Sequence, residues 1–212
     1  MLGLRNRLAP LRVYFSTPRA RNDYSTHVPI LIGLARIREI KSVLEFGCGY
    51  YSTLTFLNAA AFPHLERLQS VENDASWAET LHGVAKHDDR WNLNLVAGEI
   101  ADSVPSMDLE AFDLILIDDS KTSAQRASTI RAITNKAPQR PWIAIHDYEV
   151  REYRVASRGF KQRYALTAYN PETGLVCNKV TDFKTLDRKL KQNCKILEPD
   201  DVEGWLTVSR KS

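Results

Sequence analysis

The chain has 212 residues, 43% of them hydrophobic and 26% charged, which is the composition of a soluble globular domain rather than a disordered or collagen-like one. No apolar run reaches the ~18 residues of a membrane span. The three cysteines, Cys48, Cys177 and Cys194, have no metal-type spacing; they argue against a disulfide framework or a zinc module and fit a reducing, cytoplasmic setting. The net charge of +3 is uneven, because residues 1–22 hold five arginines and no acid, leaving −2 on residues 23–212. Such an arm reads as a solvated extension, as a contact for an anionic partner, or as an organelle transit segment.

Short apolar runs then alternate with helical patterns. Pro29 opens a helix over residues 29–39, with Ile30, Leu31, Leu34 and Ile37 on one face. A buried strand is predicted over 42–46, a helix over 52–62 stopped by Pro63, and a strand over 68–71. A helix over 74–86 and a strand over 93–96 follow. Residues 112–117, with Leu114, Ile115, Leu116 and Ile117 in succession, form the clearest strand; such runs belong to parallel strands covered on both faces. A helix over 123–136, a strand over 142–145 and a polar helix over 149–157 complete the series. Strands over 164–169 and 175–180 flank the turn sequence Asn-Pro-Glu-Thr-Gly and predict an antiparallel hairpin. An amphipathic helix over 182–194 and an edge strand over 205–208 close the chain.

This order predicts an α/β fold: a Rossmann-like, doubly wound, mostly parallel seven-stranded sheet with a C-terminal antiparallel hairpin. The expected organisation is a basic arm over 1–25, the Rossmann-like domain over 26–181, and a helix and edge extension over 182–212 on the same domain. Ligands of such sheets sit beyond the carboxyl ends of the strands, so the residues just after each strand are the candidates.

After the first strand comes Glu45-Phe46-Gly47-Cys48-Gly49-Tyr50-Tyr51-Ser52. The glycines permit a sharp turn and close ligand approach, and Ser52 or Thr53 is placed to cap the next helix. Glu72 ends the second strand, where an acid accepts the hydroxyls of a ribose. The third strand ends in Gly98-Glu99, the fourth in Asp118-Asp119-Ser120-Lys121, the fifth in His146-Asp147-Tyr148. Polar or acidic ends on five consecutive strands exceed what helix capping needs.

With these residues in view, the chain resembles class I methyltransferases dependent on S-adenosylmethionine, in the small-molecule or O-methyltransferase-like subgroup. Residues 43–57 (VLEFGCGYYSTLTFL) look like their first motif; SVEND (70–74), VAGE (96–99), FDLILIDD (112–119) and WIAIHDYE (142–149) look like the later ones. The resemblance spans roughly residues 28–180. It implies S-adenosylmethionine as cofactor, held by Glu45, Gly47, Gly49, Ser52, Glu72, Asn73, Glu99 and Asp118, with Glu72 on the ribose and Asn73 and Glu99 near the adenine. The chain departs from the pattern where Tyr51 and Ser52 replace the third glycine, where Gln139-Arg140-Pro141 replaces a double glycine, and where Lys121 stands in place of a histidine.

Methyl transfer to a hydroxyl needs positioning and removal of a proton. The implied catalytic set is Asp118, Lys121, His146 and Asp147. In one arrangement, similar to the metal-dependent catechol-type enzymes, Asp118 and Asp147 hold magnesium with waters completing its shell, although Tyr148 stands where an asparagine ligand is expected. In the other, which is favoured, no metal takes part: His146 or Asp147 is the base and Lys121 orients the substrate. Tyr24, His27 and Tyr148 are candidate substrate contacts. The expected acceptor is a small molecule or a glycan-type compound methylated at oxygen. The alternatives are a non-catalytic binder of the adenosyl cofactor and a nucleic-acid transferase using the basic arm. The N/D-P-P-Y/F signature of base amino-group methylation is absent, which weighs against nucleic acid as a partner.

Overall fold

The computed structural model describes residues 23–85, 88–119, 122–167, 169–179 and 182–194. The elements, in chain order, are α1 (Val28–Ile37), β1 (Ser42–Phe46), α2 (Ser52–Leu57), β2 (Arg67–Glu72), α3 (Ala75–Ala85), β3 (Trp91–Leu95), α4 (Ile100–Ser103), β4 (Leu114–Ile117), α5 (Ser123–Lys136), β5 (Trp142–His146), α6 (Arg151–Ala156), β6 (Gln162–Leu166), β7 (Thr173–Cys177) and α7 (Phe183–Cys194). The seven strands form one sheet in the order β3-β2-β1-β4-β5-β7-β6. The first five are parallel, and β7 runs antiparallel between β5 and β6. The predicted hairpin is present, with its second strand inserted next to β5 rather than at the edge. The predicted strand over 205–208 and residues 1–22 of the basic arm lie outside the described residues, whereas Asp23–Ser25, the end of the arm, form a 3-10 turn with Ser25 buried.

Two apolar cores cover the two faces of the sheet. One gathers α1, α2 and α7 over Val43, Leu68, Leu114, Leu116 and Leu175. The other gathers α4, α5 and α6 over Leu44, Phe46, Ile115, Ile117, Ile143 and Ile145. The alternation along β1 and β4 thus feeds both cores, which is why those strands read as continuous apolar runs. Helix α1 is buried from Val28 through Ala35, an apolar helix sandwiched by its neighbours rather than an amphipathic surface one.

Several boundaries shift for local reasons. Helix α2 stops at Leu57 because Asn58 turns the chain: its Oδ1 accepts from the Ala60 N–H at 2.8 Å and its carbonyl from Phe62 at 2.8 Å. Strand β3 begins at Trp91, two residues earlier than predicted, because it is a half-exposed edge whose alternation hides its start. After β3 the chain runs through α4 and short 3-10 turns at Val104–Ser106 and Leu109–Ala111, which no periodicity announced.

Candidate active site

The carboxyl ends of β1 and β4 open onto a cavity of about 380 Å³. It is lined by Tyr24 and His27 before α1, the 47–52 loop, Trp77 of α3, Asp118 after β4 and Arg126 of α5. Gly47 has φ +82° and donates its N–H to Val71 O at 2.9 Å, so the loop leaves β1 by a left-handed turn tied to β2. The expected helix caps do not form: the residue before α2 is Tyr51, which makes no side-chain capping bond. Thr53 Oγ1 instead accepts from the Gly49 N–H at 3.0 Å and donates to Glu45 Oε2 at 2.8 Å. The hydroxyl thus couples the loop to the acid below it.

Glu45 is fully buried in β1. Its Oε2 accepts from Ser70 and Thr53, whereas Oε1 has no hydrogen-bond partner among the described residues. Burial pushes its carboxyl up to about 7 despite those donors. The folded protein therefore holds this proton longer than the unfolded chain, and stability falls as pH rises from the ordinary glutamate value to about 7. Glu45→Gln removes that slope. Measured by urea unfolding, the variant should gain on the wild type by up to about 3 kcal/mol between pH 5 and pH 8. A constant difference across that range would show that Glu45 does not titrate there.

Further acids lie along the ends of β2 and β3. Glu72 Oε1 accepts from the N–H groups of Asn73 (2.7 Å) and Asp74 (2.9 Å), and the Cys48 thiol reaches Oε2 at 3.6 Å. The carboxylate is thereby fixed, with Oε2 the freer oxygen. Asn73 Nδ2 donates to Gly98 O at 2.8 Å, and Glu99 Oε1 accepts from Gln125 at 3.2 Å. Glu72, Asn73 and Glu99 do not line the cavity itself; they flank it. Trp77 donates Nε1–H to Cys48 O at 2.6 Å and meets the Tyr50 ring edge-on, forming an aromatic wall that sequence reading did not single out. The cavity itself is aromatic and glycine-lined, with Asp118 as its acid. Of the cofactor residues expected from the sequence, Gly47, Gly49, Ser52 and Asp118 line this cavity.

Beyond β4 and β5 lies a chain of charges. His146 Nδ1 is 3.1 Å from Asp118 Oδ1, and its Nε2 is 3.1 Å from Thr26 Oγ1. Arg126 reaches Asp118 Oδ1 at 3.0 Å with Nη2 and Asp147 Oδ2 at 2.7 Å with Nη1, and donates Nε–H to Asp119 O at 2.7 Å. Burial opposes ionisation of Asp118, but His146 and Arg126 override it and hold the carboxyl well below its usual range. Burial likewise lowers His146, and Asp118 more than reverses this by charge and hydrogen bond. Asp147 adopts φ +57°, a left-handed conformation that aspartate tolerates, which brings its carboxylate to Arg126. Ligand atoms of His27, Asp118 and His146 lie within 4.8 Å of one another.

Magnesium at Asp118 and Asp147, the arrangement not favoured, meets a competing cation in this geometry. The Arg126 guanidinium fills the space between Asp118 and Asp147, so that carboxylate pair already has its counter-ion. The remaining neighbours are imidazoles, whereas magnesium requires oxygen ligands. Tyr148 as a substrate contact is corrected. It is 4% exposed and turned away from the cavity, packed over Gly174, with its hydroxyl bonded to Ser157 at 2.8 Å. Lys121 lies outside the described residues. Sequence reading missed Arg126, although one signal was available: a cation in the first turn of a helix opposes the dipole and implies acidic partners nearby.

Residues 44–148 match the family model described as "Methyltransferase domain". No curated protein matches the chain by sequence comparison. Solved structures share the fold at low identity. SAH-bound methyltransferase PaMTH1 of Podospora anserina is 15% identical over 82% of this chain and 88% of that one, with a TM-score of 0.58. Human methyltransferase-like protein 13 in complex with SAH gives 18%, 81%, 92% and 0.55, and cofactor-bound Rv0187 from MTB gives 20%, 85%, 91% and 0.51. The chain spans 61% of the length of another match, PigF with SAH, and 60% of that of a spermidine synthase. No helix among the described residues is long and apolar enough to cross a membrane. The glycine loop, the strand-end acids and the family match together place the chain in the class I S-adenosylmethionine-dependent methyltransferases, with S-adenosylmethionine as its cofactor.

Proposed function

We propose that the chain methylates an oxygen of a small-molecule or glycan-type acceptor without a catalytic metal. The observation that carries this reading is the cluster of His27, Asp118 and His146 at the cavity, whose ligand atoms lie within 4.8 Å of one another and put imidazole and carboxylate together at the ends of β4 and β5. The bound cofactor supplies an electrophilic methyl group on a sulfonium. What the protein must add is an oriented hydroxyl, exclusion of water and a destination for one proton. Asp118, fixed between His146 and Arg126, supplies a permanent negative charge that stabilises a cation forming next to it. Asp147 holds the other end of Arg126 and keeps the guanidinium in register. The aromatic residues Tyr24, Tyr50 and Trp77 at the cavity suit a flat phenol or the apolar face of a sugar ring.

Calorimetric titration with S-adenosylhomocysteine tests the cofactor half. Binding is expected in the wild type, and Glu72→Ala should weaken it about 10- to 100-fold, the loss of hydrogen bonds to a charged group. Transfer of labelled methyl from S-adenosylmethionine to catechol and to methyl glucoside tests the acceptor half. The expected result is transfer that neither chelator nor added magnesium changes. Transfer abolished by chelator would overturn the metal-free reading, and transfer to amines alone would overturn the choice of oxygen.

A further inference from the structure

We infer that His27, rather than His146, receives the acceptor hydroxyl and takes its proton. The inference rests on the oxygen-methylation reading and assigns its base. His146 has no nitrogen to offer: Nδ1 faces Asp118 and Nε2 faces Thr26, and its ring does not line the cavity. Asp118 Oδ1 and Asp147 Oδ2 are both engaged by the Arg126 guanidinium, so neither carboxylate is free of its counter-ion. The Cys48 thiol points to Glu72. His27 differs from all of these. It is 1% exposed and lines the cavity, yet neither Nδ1 nor Nε2 has a hydrogen-bond partner among the described residues. A buried imidazole with both nitrogens unbonded is costly unless a ligand completes it. A hydroxyl is suited to this, since it donates to the ring's bare nitrogen.

The surroundings keep His27 unprotonated, so its ring nitrogens are open to a hydrogen-bond donor, and make it a weaker base than free imidazole. Burial, reinforced by the His146 charge, pushes its imidazole down to about 3, with Arg126 acting in the same direction and Asp118 against it. The ring is therefore neutral at physiological pH, and a proton arriving on it is met by the Asp118 carboxylate. His146 stands edge-on to His27, with ring centroids 4.6 Å apart and planes at 69°, and so acts as a positioning residue. As the acceptor oxygen forms its new bond to the methyl carbon, the C–S bond breaks and its electron pair stays on sulfur, leaving a neutral thioether. The O–H proton passes to His27 and then to solvent, so charge and atoms balance.

The test combines two readouts on the full chain. Nuclear magnetic resonance of histidine-labelled protein with S-adenosylhomocysteine follows both imidazoles. His27 should stay neutral down to pH 5, and its ring nitrogens should shift on addition of catechol or methyl glucoside while those of His146 hold still. His27→Gln should bind S-adenosylhomocysteine within twofold of wild type and lose at least 100-fold in methyl transfer. His146 responding in place of His27, or a variant keeping a third of wild-type transfer, would overturn the assignment while leaving oxygen methylation intact. A wild type that binds S-adenosylhomocysteine but methylates neither hydroxyl probe overturns both.

Discussion

Arg126→Met should destabilise the protein by about 3 kcal/mol at pH 7, near the lower end of what breaking a buried ion pair costs. Three acceptors lose a donor together: Asp118 Oδ1, Asp147 Oδ2 and the Asp119 carbonyl. The side chains of Asp118 and Asp147 are 22% and 30% exposed, so water recovers part of the loss, which is why the low end is chosen. The sign of the pH dependence follows from Asp118. Its carboxyl is held below the usual range when folded, so its stabilising contribution is complete above the unfolded value and fades as pH falls toward the folded one. The gap between wild type and variant should therefore be widest near pH 7 and shrink below about pH 4, where the unfolded carboxyl takes up its proton. Urea titrations at pH 7 and pH 3.5 measure both. A penalty under about 0.5 kcal/mol at pH 7, the range of ordinary surface substitutions, would mean that Arg126 is not the counter-ion of this network.

The same residue marks the boundary of what could be read from the chain alone. Strand β1 and helix α5 were legible to the residue, because each carries its own local signal: an apolar run ending at Gly47, and a helical stretch stopped before Pro138. The candidate acids followed from position, since every parallel strand delivers its last residue to the same end of the sheet. What was not legible is how those residues meet. That Arg126 spans Asp118 and Asp147 depends on β4 and β5 being adjacent and on Asp147 turning left-handed. Tyr148 read as a substrate contact because it follows the fifth strand. The absence of a side chain at Gly174, on the antiparallel neighbour β7, gives its ring a place inside instead. His27 read as a candidate substrate contact, and its burial at the start of α1 was not legible from the chain. Pairings across 20 or more residues leave no trace in hydrophobic periodicity.

Gly47→Ala should be the most damaging single-methyl change in the cofactor loop, at about 3–5 kcal/mol, as the sum of left-handed strain and overpacking. An added Cβ would stand 2.5 Å from Asp118 O and 2.6 Å from Asp119 Cα, against backbone that has no rotamer to yield. The φ of +82° adds strain that any L side chain meets. Two other glycines separate these causes. Gly98 shares the left-handed geometry at φ +92° but has nothing within 4 Å of its Cβ position, so Gly98→Ala should cost about 1–2 kcal/mol from strain alone. At Gly49 the nearest atom would be Ser52 Oγ at 3.5 Å, an ordinary contact with no positive φ, so Gly49→Ala should stay within about 1 kcal/mol of wild type. Thermal unfolding of the three variants should rank them Gly47, Gly98, Gly49. Calorimetry with S-adenosylhomocysteine adds a second axis. Gly47→Ala displaces the end of β4 and with it Asp118, so it should lose binding through the scaffold. Gly49→Ala should lose binding while remaining stable, because its new methyl group stands in the cavity rather than in the protein. If Gly49→Ala binds as well as wild type, the cofactor does not lie against that stretch of loop. If Gly47→Ala is as stable as Gly98→Ala, the β1–β4 approach is looser than the geometry demands.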